Sequence, residues 1–266
     1  MSHNFKKSFG QNFLRGTRFA EKLANSLEIT EDDTVIEVGP GDGILTKILL
    51  QKNCKVIAVE VDYDLLVNLL KRFNNKPDFH LEHQDILDLN IDEVLKKYGV
   101  TGNIKVTGSL PYNISKKIIQ KFIDYNVNLK LKALSSESKT PSPKPQTPSS
   151  KLISMSFIVQ EEVAKTYSAI APNATFLSNY VRIFCDVRKL ETIPAIQFFP
   201  TPKVNGAILN FVFKESINKS YFELIKLIKV GFVSPRKTLW NNLRNSKKWE
   251  VEKLEKSFKE LGINNN

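Results

Sequence analysis

The chain has 266 residues, enough for one sizeable domain and a small appendage, and its 41% hydrophobic content supports a packed core. A formal net charge of +11 points to a polyanionic partner, with nucleic acid ahead of a membrane surface. No apolar run is long enough to cross a bilayer, and Cys54 and Cys185 make no CxxC or Cys/His spacing, so no membrane span and no metal site are expected and a cytoplasmic, reducing compartment is.

Met1 to Arg18 is basic and free of acids, as a transit peptide would be, but its Gln11-Asn12-Phe13-Leu14 segment belongs with the site residues below. Short β-branched runs then alternate with helical patterns. Thr34 to Val38 predicts a strand, Gly43 to Gln51 a helix and Val56 to Glu60 the next strand. Tyr63 to Phe73 carries Leu65, Leu66, Leu69 and Leu70 at helical spacing. Phe79 to His83 and Ile104 to Thr107 are two further strands, and Ser115 to Asp124 is helical, with Ile118, Ile119, Phe122 and Ile123 on one face. Strands separated by such helices predict an α/β fold, with a parallel sheet covered on both faces.

Residues 135–150 contain only Ser, Thr, Pro, Lys, Glu and Gln, so they predict a flexible surface insertion. Strand-like sequence resumes at Ile153 to Val159. From Tyr221 onward the pattern is helical and very basic, with Phe222, Leu224, Ile225, Ile228, Leu239, Leu243, Val251, Leu254, Phe258 and Leu261 as expected core. The predicted division is residues 1–214 for the α/β domain and 215–266 for a small helical domain. Arg236, Lys237, Arg244, Lys247 and Lys248 form a one-signed run suited to phosphates.

Three strand ends carry polar chemistry. Gly39-Pro40-Gly41-Asp42-Gly43 follows the first strand; its glycines permit a tight turn and close approach of a ligand to the backbone. Ile44 stands where the dinucleotide fingerprint needs its third glycine, which argues against a pyrophosphate cofactor. Glu60 ends the second strand, where an acid can accept both ribose hydroxyls, and Asp85 follows the third, placed to accept an adenine amino group. Each acid alone reads as a cap or solvated turn. Together the three predict S-adenosylmethionine.

At the end of the fourth strand, Gly108-Ser109-Leu110-Pro111-Tyr112-Asn113-Ile114-Ser115 reads as a clamp for a flipped-out adenine. Adenine N6 is a poor nucleophile because its lone pair is delocalised into the ring. A side-chain acceptor at Ser109 and the carbonyl of Leu110, held by Pro111, would draw the nitrogen towards tetrahedral geometry while Tyr112 stacks on the base. Phe199, within Phe198-Phe199-Pro200-Thr201-Pro202-Lys203-Val204, is expected to form the opposite wall.

These motifs, with Lys6 to Leu14, Val59-Glu60-Val61-Asp62, Val159 to Ala164 and Arg236 to Leu243, resemble the ribosomal RNA adenine N6,N6-dimethyltransferase family. The resemblance implies a Rossmann-like, seven-stranded methyltransferase domain with a C-terminal helical domain. It implies that Gln11, Asn12 and Leu14 close over the cofactor, that Gly39 and Gly41 contact it, and that Ser109 stands at the junction of cofactor and substrate. It implies small-subunit rRNA as partner, a monomer, and dimethylation of adjacent adenosines near the 3′ end. Ser109 departs from the family's asparagine; its shorter hydroxyl predicts slowed activity. Two other readings are a non-catalytic ribosome-assembly or nucleic-acid-binding factor on the same fold, and a large-subunit methyltransferase conferring macrolide resistance.

Overall fold

The structure is a computed structural model that describes residues 12–136, 150–216 and 220–264. In chain order the elements are β1 (Phe13–Leu14), α1 (Arg18–Asn25), β2 (Thr34–Val38), α2 (Ile44–Leu50), β3 (Lys55–Glu60), α3 (Tyr63–Phe73), β4 (Phe79–His83) and α4 (Ile91–Lys97). There follow β5 (Asn103–Ser109), α5 (Ser115–Ser136), β6 (Lys151–Gln160), α6 (Glu161–Ser168), α7 (Phe176–Arg182), β7 (Cys185–Ile193), β8 (Phe198–Phe199) and β9 (Gly206–Phe213). The chain then ends in α8 (Ser220–Gly231), α9 (Leu239–Asn245) and α10 (Val251–Glu260).

Seven strands form one sheet in the order β4-β3-β2-β5-β6-β9-β7. Pairings from β4 through to β6 are parallel, and β9 runs antiparallel to both of its neighbours. Alternation along each strand divides the core in two. Val35, Val56 and Ala58 face one way, onto Leu23 of α1, Leu49 of α2 and Leu69 of α3. Ile36, Val38, Ile57 and Val59 face the other, onto Val94 of α4, Phe122 of α5, Tyr167 of α6 and Val181 of α7. The expected α/β sheet with helices on both faces is therefore present.

Local chemistry sets the helix starts. Asp62 caps α3 by accepting the Asp64 N–H, Asn90 caps α4 through Glu93, and Thr175 forms a reciprocal capping box with Ser178 at α7. The second helix starts at Ile44, with Gly43 as its left-handed cap, one residue later than its sequence pattern predicts. Cys185 opens β7, and Cys54 lies one residue ahead of β3.

Two expectations need correction. Ser135 and Ser136 complete α5 and Ser150 is buried just before β6, so the expected insertion is narrower than 135–150; residues 137–149 lie outside the described residues. In the C-terminal helices Phe222, Leu224, Leu239, Val251 and Leu261 are exposed. A small core forms instead from Val230, Trp240, Leu243, Leu254 and Phe258, while Tyr221, Ile225 and Ile228 pack against the main core. For Phe222 and Leu224 the physical reason is that α8 divides its apolar residues between two neighbours, which leaves these uncovered; Leu239 and Val251 are the first residues of α9 and α10, and Leu261 follows α10.

Candidate active site

The crevice opens where the strand order reverses, with β3 on one side of β2 and β5 on the other, at the C-terminal edge of the strands. A cavity of about 270 Å³ lies there. Among the expected residues, Asn12, Leu14, Gly39, Gly41, Glu60, Asp85, Ser109, Leu110, Pro111 and Tyr112 all line it. Gln11 lies outside the described residues.

The glycine loop is shaped by what roofs it. Gly41 has φ +60°, and a Cβ there would sit 2.7 Å from the Phe13 ring. Glycine is required because the aromatic ring of β1 occupies the space of a side chain. Phe13 also lines the cavity; the sequence places it in the Gln11-to-Leu14 site segment, and its contact with Gly41 comes from the fold.

Acids are held in the cavity wall by backbone donors. Glu60 accepts from the N–H groups of Asp62 at 2.9 Å, Val61 at 3.0 Å and Gly41 at 3.3 Å. Burial raises its carboxyl above the ordinary glutamate value, against the pull of these donors. Glu37 is fully buried beneath the loop, and burial pushes its carboxyl up to about 8. The Thr46 hydroxyl donates to one oxygen of Glu37 at 2.7 Å, and the other oxygen has no partner among the described residues. Sequence reasoning placed Glu37 only in a strand. Asp85 is half-buried and accepts the Leu87 N–H at 2.8 Å.

Strand β5 runs two residues beyond its predicted end, so Ser109 is its last residue, in register with Ile158 of β6. Gly108 makes this possible: its φ is +155°, and a Cβ would lie 2.2 Å from the Val38 carbonyl oxygen. The two strand ends therefore converge, one bearing the glycine loop and the other the clamp. The Leu110 N–H donates to the Ile158 carbonyl at 2.9 Å, which fixes the Ser109–Leu110 peptide plane. The Tyr112 hydroxyl is buried with no partner among the described residues, and burial pushes its pKa up to about 12.

Phe199 takes a different place from the one expected. It is 46% exposed on β8, paired with Phe13 of β1, with the Arg15 guanidinium 5.0 Å from its ring centroid, and it does not line the cavity. Its neighbour Phe198 is fully buried. The alternation of a strand gives one aromatic to the core and the other to the rim. Arg236, Lys237, Arg244, Lys247 and Lys248 are all exposed, on α9 and the loops flanking it, away from the cavity lining. The loop before α9 is knitted by Asn242, whose side-chain amide donates to the carbonyls of Gly231 at 2.7 Å and Ser234 at 3.1 Å.

A crevice joining a glycine loop and two strand-end acids to a Ser-Leu-Pro-Tyr clamp defines the class: a Rossmann-like, S-adenosylmethionine-dependent methyltransferase. A family model described as ribosomal RNA adenine dimethylase matches residues 2–266, and the chain belongs to that family. It is 33% identical to the ribosomal RNA small subunit methyltransferase A of Mycoplasma mobile, over 99% of this chain and 91% of the relative. It is 31% identical to the protein of that name from Clostridium perfringens, over 97% of this chain and 83% of the relative. Among solved structures, the 23S rRNA methyltransferase ErmE superposes with a TM-score of 0.74 at 18% identity, covering 95% of this chain and 91% of that one. A dimethyladenosine transferase from Plasmodium falciparum gives 0.67 at 24% identity, covering 86% and 74%. These two establish a shared fold. Among the described residues no helix is long and apolar enough to cross a membrane.

Proposed function

We propose that this enzyme dimethylates adenine N6 at adjacent adenosines near the 3′ end of small-subunit rRNA, as a monomer in the cytoplasm, during ribosome assembly. One observation carries the reading: a single cavity is lined both by the cofactor acids Glu60 and Asp85 and by the clamp Ser109 to Tyr112. Cofactor and target base would thus meet in one cavity.

The residues present fit S-adenosylmethionine. Bare glycine backbone at Gly39 and Gly41 allows close approach, and the Glu37 oxygen that has no partner among the described residues offers a polar contact beneath the loop. When bound, the cofactor supplies a methyl group on a sulfonium centre. Asn12, Phe13 and Leu14 would cover it, Glu60 would hold the ribose and Asp85 the adenine amino group. On the substrate side the Leu110 carbonyl and the Ser109 hydroxyl would accept hydrogen bonds from the target amino group. Tyr112 would stack on the base, which must leave its helix at a cost of a few kcal/mol. Rate acceleration would come from alignment and from these preset acceptors. Phe199, on the rim, would guide the base inward. Residues 215–266 would present Arg236, Lys237, Arg244, Lys247 and Lys248 to rRNA phosphates.

The test is transfer of labelled methyl from S-adenosylmethionine to unmodified small ribosomal subunits, with large subunits in parallel. The expected result is label on small subunits that maps as dimethyladenine near the 3′ end. Label only on large subunits would replace this reading with the resistance activity. Tight subunit binding without label would make the protein an assembly factor whose Ser109 has cost it turnover.

A further inference from the structure

The turn after β4 is tied to the helix after the clamp, and one lysine makes the tie. Asp85 opens this turn. Its carboxylate accepts the Leu87 N–H at 2.8 Å, and its main-chain carbonyl accepts the N–H groups of Asp88 at 3.0 Å and Leu89 at 3.1 Å. Ile86 and Leu89 are buried, so the turn is anchored from below. The carbonyls of Leu87 and Leu89 are left to be satisfied from α5, where the Lys121 ammonium donates to both, at 2.8 and 2.7 Å. Burial holds that ammonium below the ordinary lysine range, while Asp88 and Asp85 pull it upward. Lys121 sits in the second turn of α5, the helix whose first residue, Ser115, ends the clamp motif. Further along the same helix, the Tyr125 hydroxyl donates to Asp92 at 2.8 Å, so α5 is fastened at a second point to the segment leading out of the turn.

From this geometry we propose that Lys121 is a positioning residue for recognition of the cofactor's adenine. By holding the carbonyls of Leu87 and Leu89 it fixes the turn from which Asp85 meets the exocyclic amino group, and it references that turn to the helix that starts at the base clamp. The inference rests on the reading of Asp85 as the adenine-binding residue. A lysine that only satisfied two carbonyls would affect all ligands of the pocket alike. One that aims Asp85 affects selectivity for the amino group, because a misplaced acceptor loses the bond it would have made.

The experiment is calorimetric titration of the full chain with S-adenosylhomocysteine and with its purine analogue lacking the exocyclic amino group. Parent, Asp85→Ala, Lys121→Met and Lys121→Arg are compared, each first checked for cooperative thermal unfolding. The parent is expected to favour the amino form by about tenfold, the scale of one hydrogen bond. Asp85→Ala should erase that preference. Lys121→Met should reduce it by about fivefold, and Lys121→Arg, which keeps cationic donors, should recover most of it. If Lys121→Met weakens both ligands equally, Lys121 is a structural prop and the inference is overturned. If Asp85→Ala keeps the full preference, the reading of Asp85 fails and the inference falls with it. Should Lys121→Met not fold, Lys121→Gln decides by the same ratio.

Discussion

Phe13 stands opposite Phe199 across the antiparallel pairing of β1 with β8. One ring roofs the glycine loop and the other lies on the exposed rim, so a single two-stranded ribbon joins the proposed cofactor cover to the proposed substrate contact from residues far apart in sequence. The two should separate kinetically. Phe13→Ala should weaken S-adenosylhomocysteine binding by about 5- to 50-fold, as expected for loss of a partly buried aromatic contact. Phe199→Ala should leave that affinity within about twofold and slow methyl transfer to subunits by about 10- to 100-fold, the scale of one base-stacking contact. Equal loss of cofactor affinity in both variants would mean that the ribbon acts only as a unit.

Ser109 ends β5 in the cavity wall, one atom shorter in reach than the asparagine that its family resemblance leads one to expect. Ser109→Asn should raise single-turnover methylation by about 10- to 100-fold, the worth of one hydrogen bond made mainly in the transition state. An unchanged or lower rate would mean that the serine is matched to its neighbours.

Glu37 gives the fold a pH dependence whose sign follows from burial. Its carboxyl is raised from 4.5 to about 8 in the folded chain, so between these values the native state holds a proton that the unfolded chain has released. Stability from this group is therefore greatest below about pH 4.5 and is lost as pH rises through about 8. Glu37→Gln keeps the shape without the charge. Its melting temperature should gain on the parent progressively from about pH 5 to 8 and level off above that. A gap that stays constant with pH would show that Glu37 remains ionised throughout.

Gly108 lets two strand ends meet, and no side chain fits there. Gly108→Ala should lower unfolding free energy by about 2–4 kcal/mol, because backbone rather than a flexible side chain must move. Denaturant titration checks this, and a loss below about 1 kcal/mol would mean that β5 and the glycine loop shift together at little cost.

The exposed cations beside α9 should act on RNA through charge. Replacing Lys247 or Lys248 with alanine should flatten the dependence of log affinity on log salt by about 0.7 to 0.9 for each phosphate contact removed. A slope identical to that of the parent would remove that residue from the interface.

Much of this protein is legible in its sequence because local physics writes it there. Strand-end placement of Gly39 and Glu60 follows from the β-branched runs that precede them, Asp85 follows the short Phe79–His83 strand, and the Leu-Pro-Tyr turn follows the Ile104–Thr107 run. Hydrophobic periodicity identifies which face of an element is buried, but it does not name the neighbour. Tertiary packing alone decided that β9 inserts in reverse between β6 and β7 and that β1 pairs with β8. It also moved Phe199 to the rim and divided the apolar residues of α8 between two cores. Such choices depend on which distant surfaces remain uncovered once the parallel core has formed, and that information belongs to no local stretch of chain.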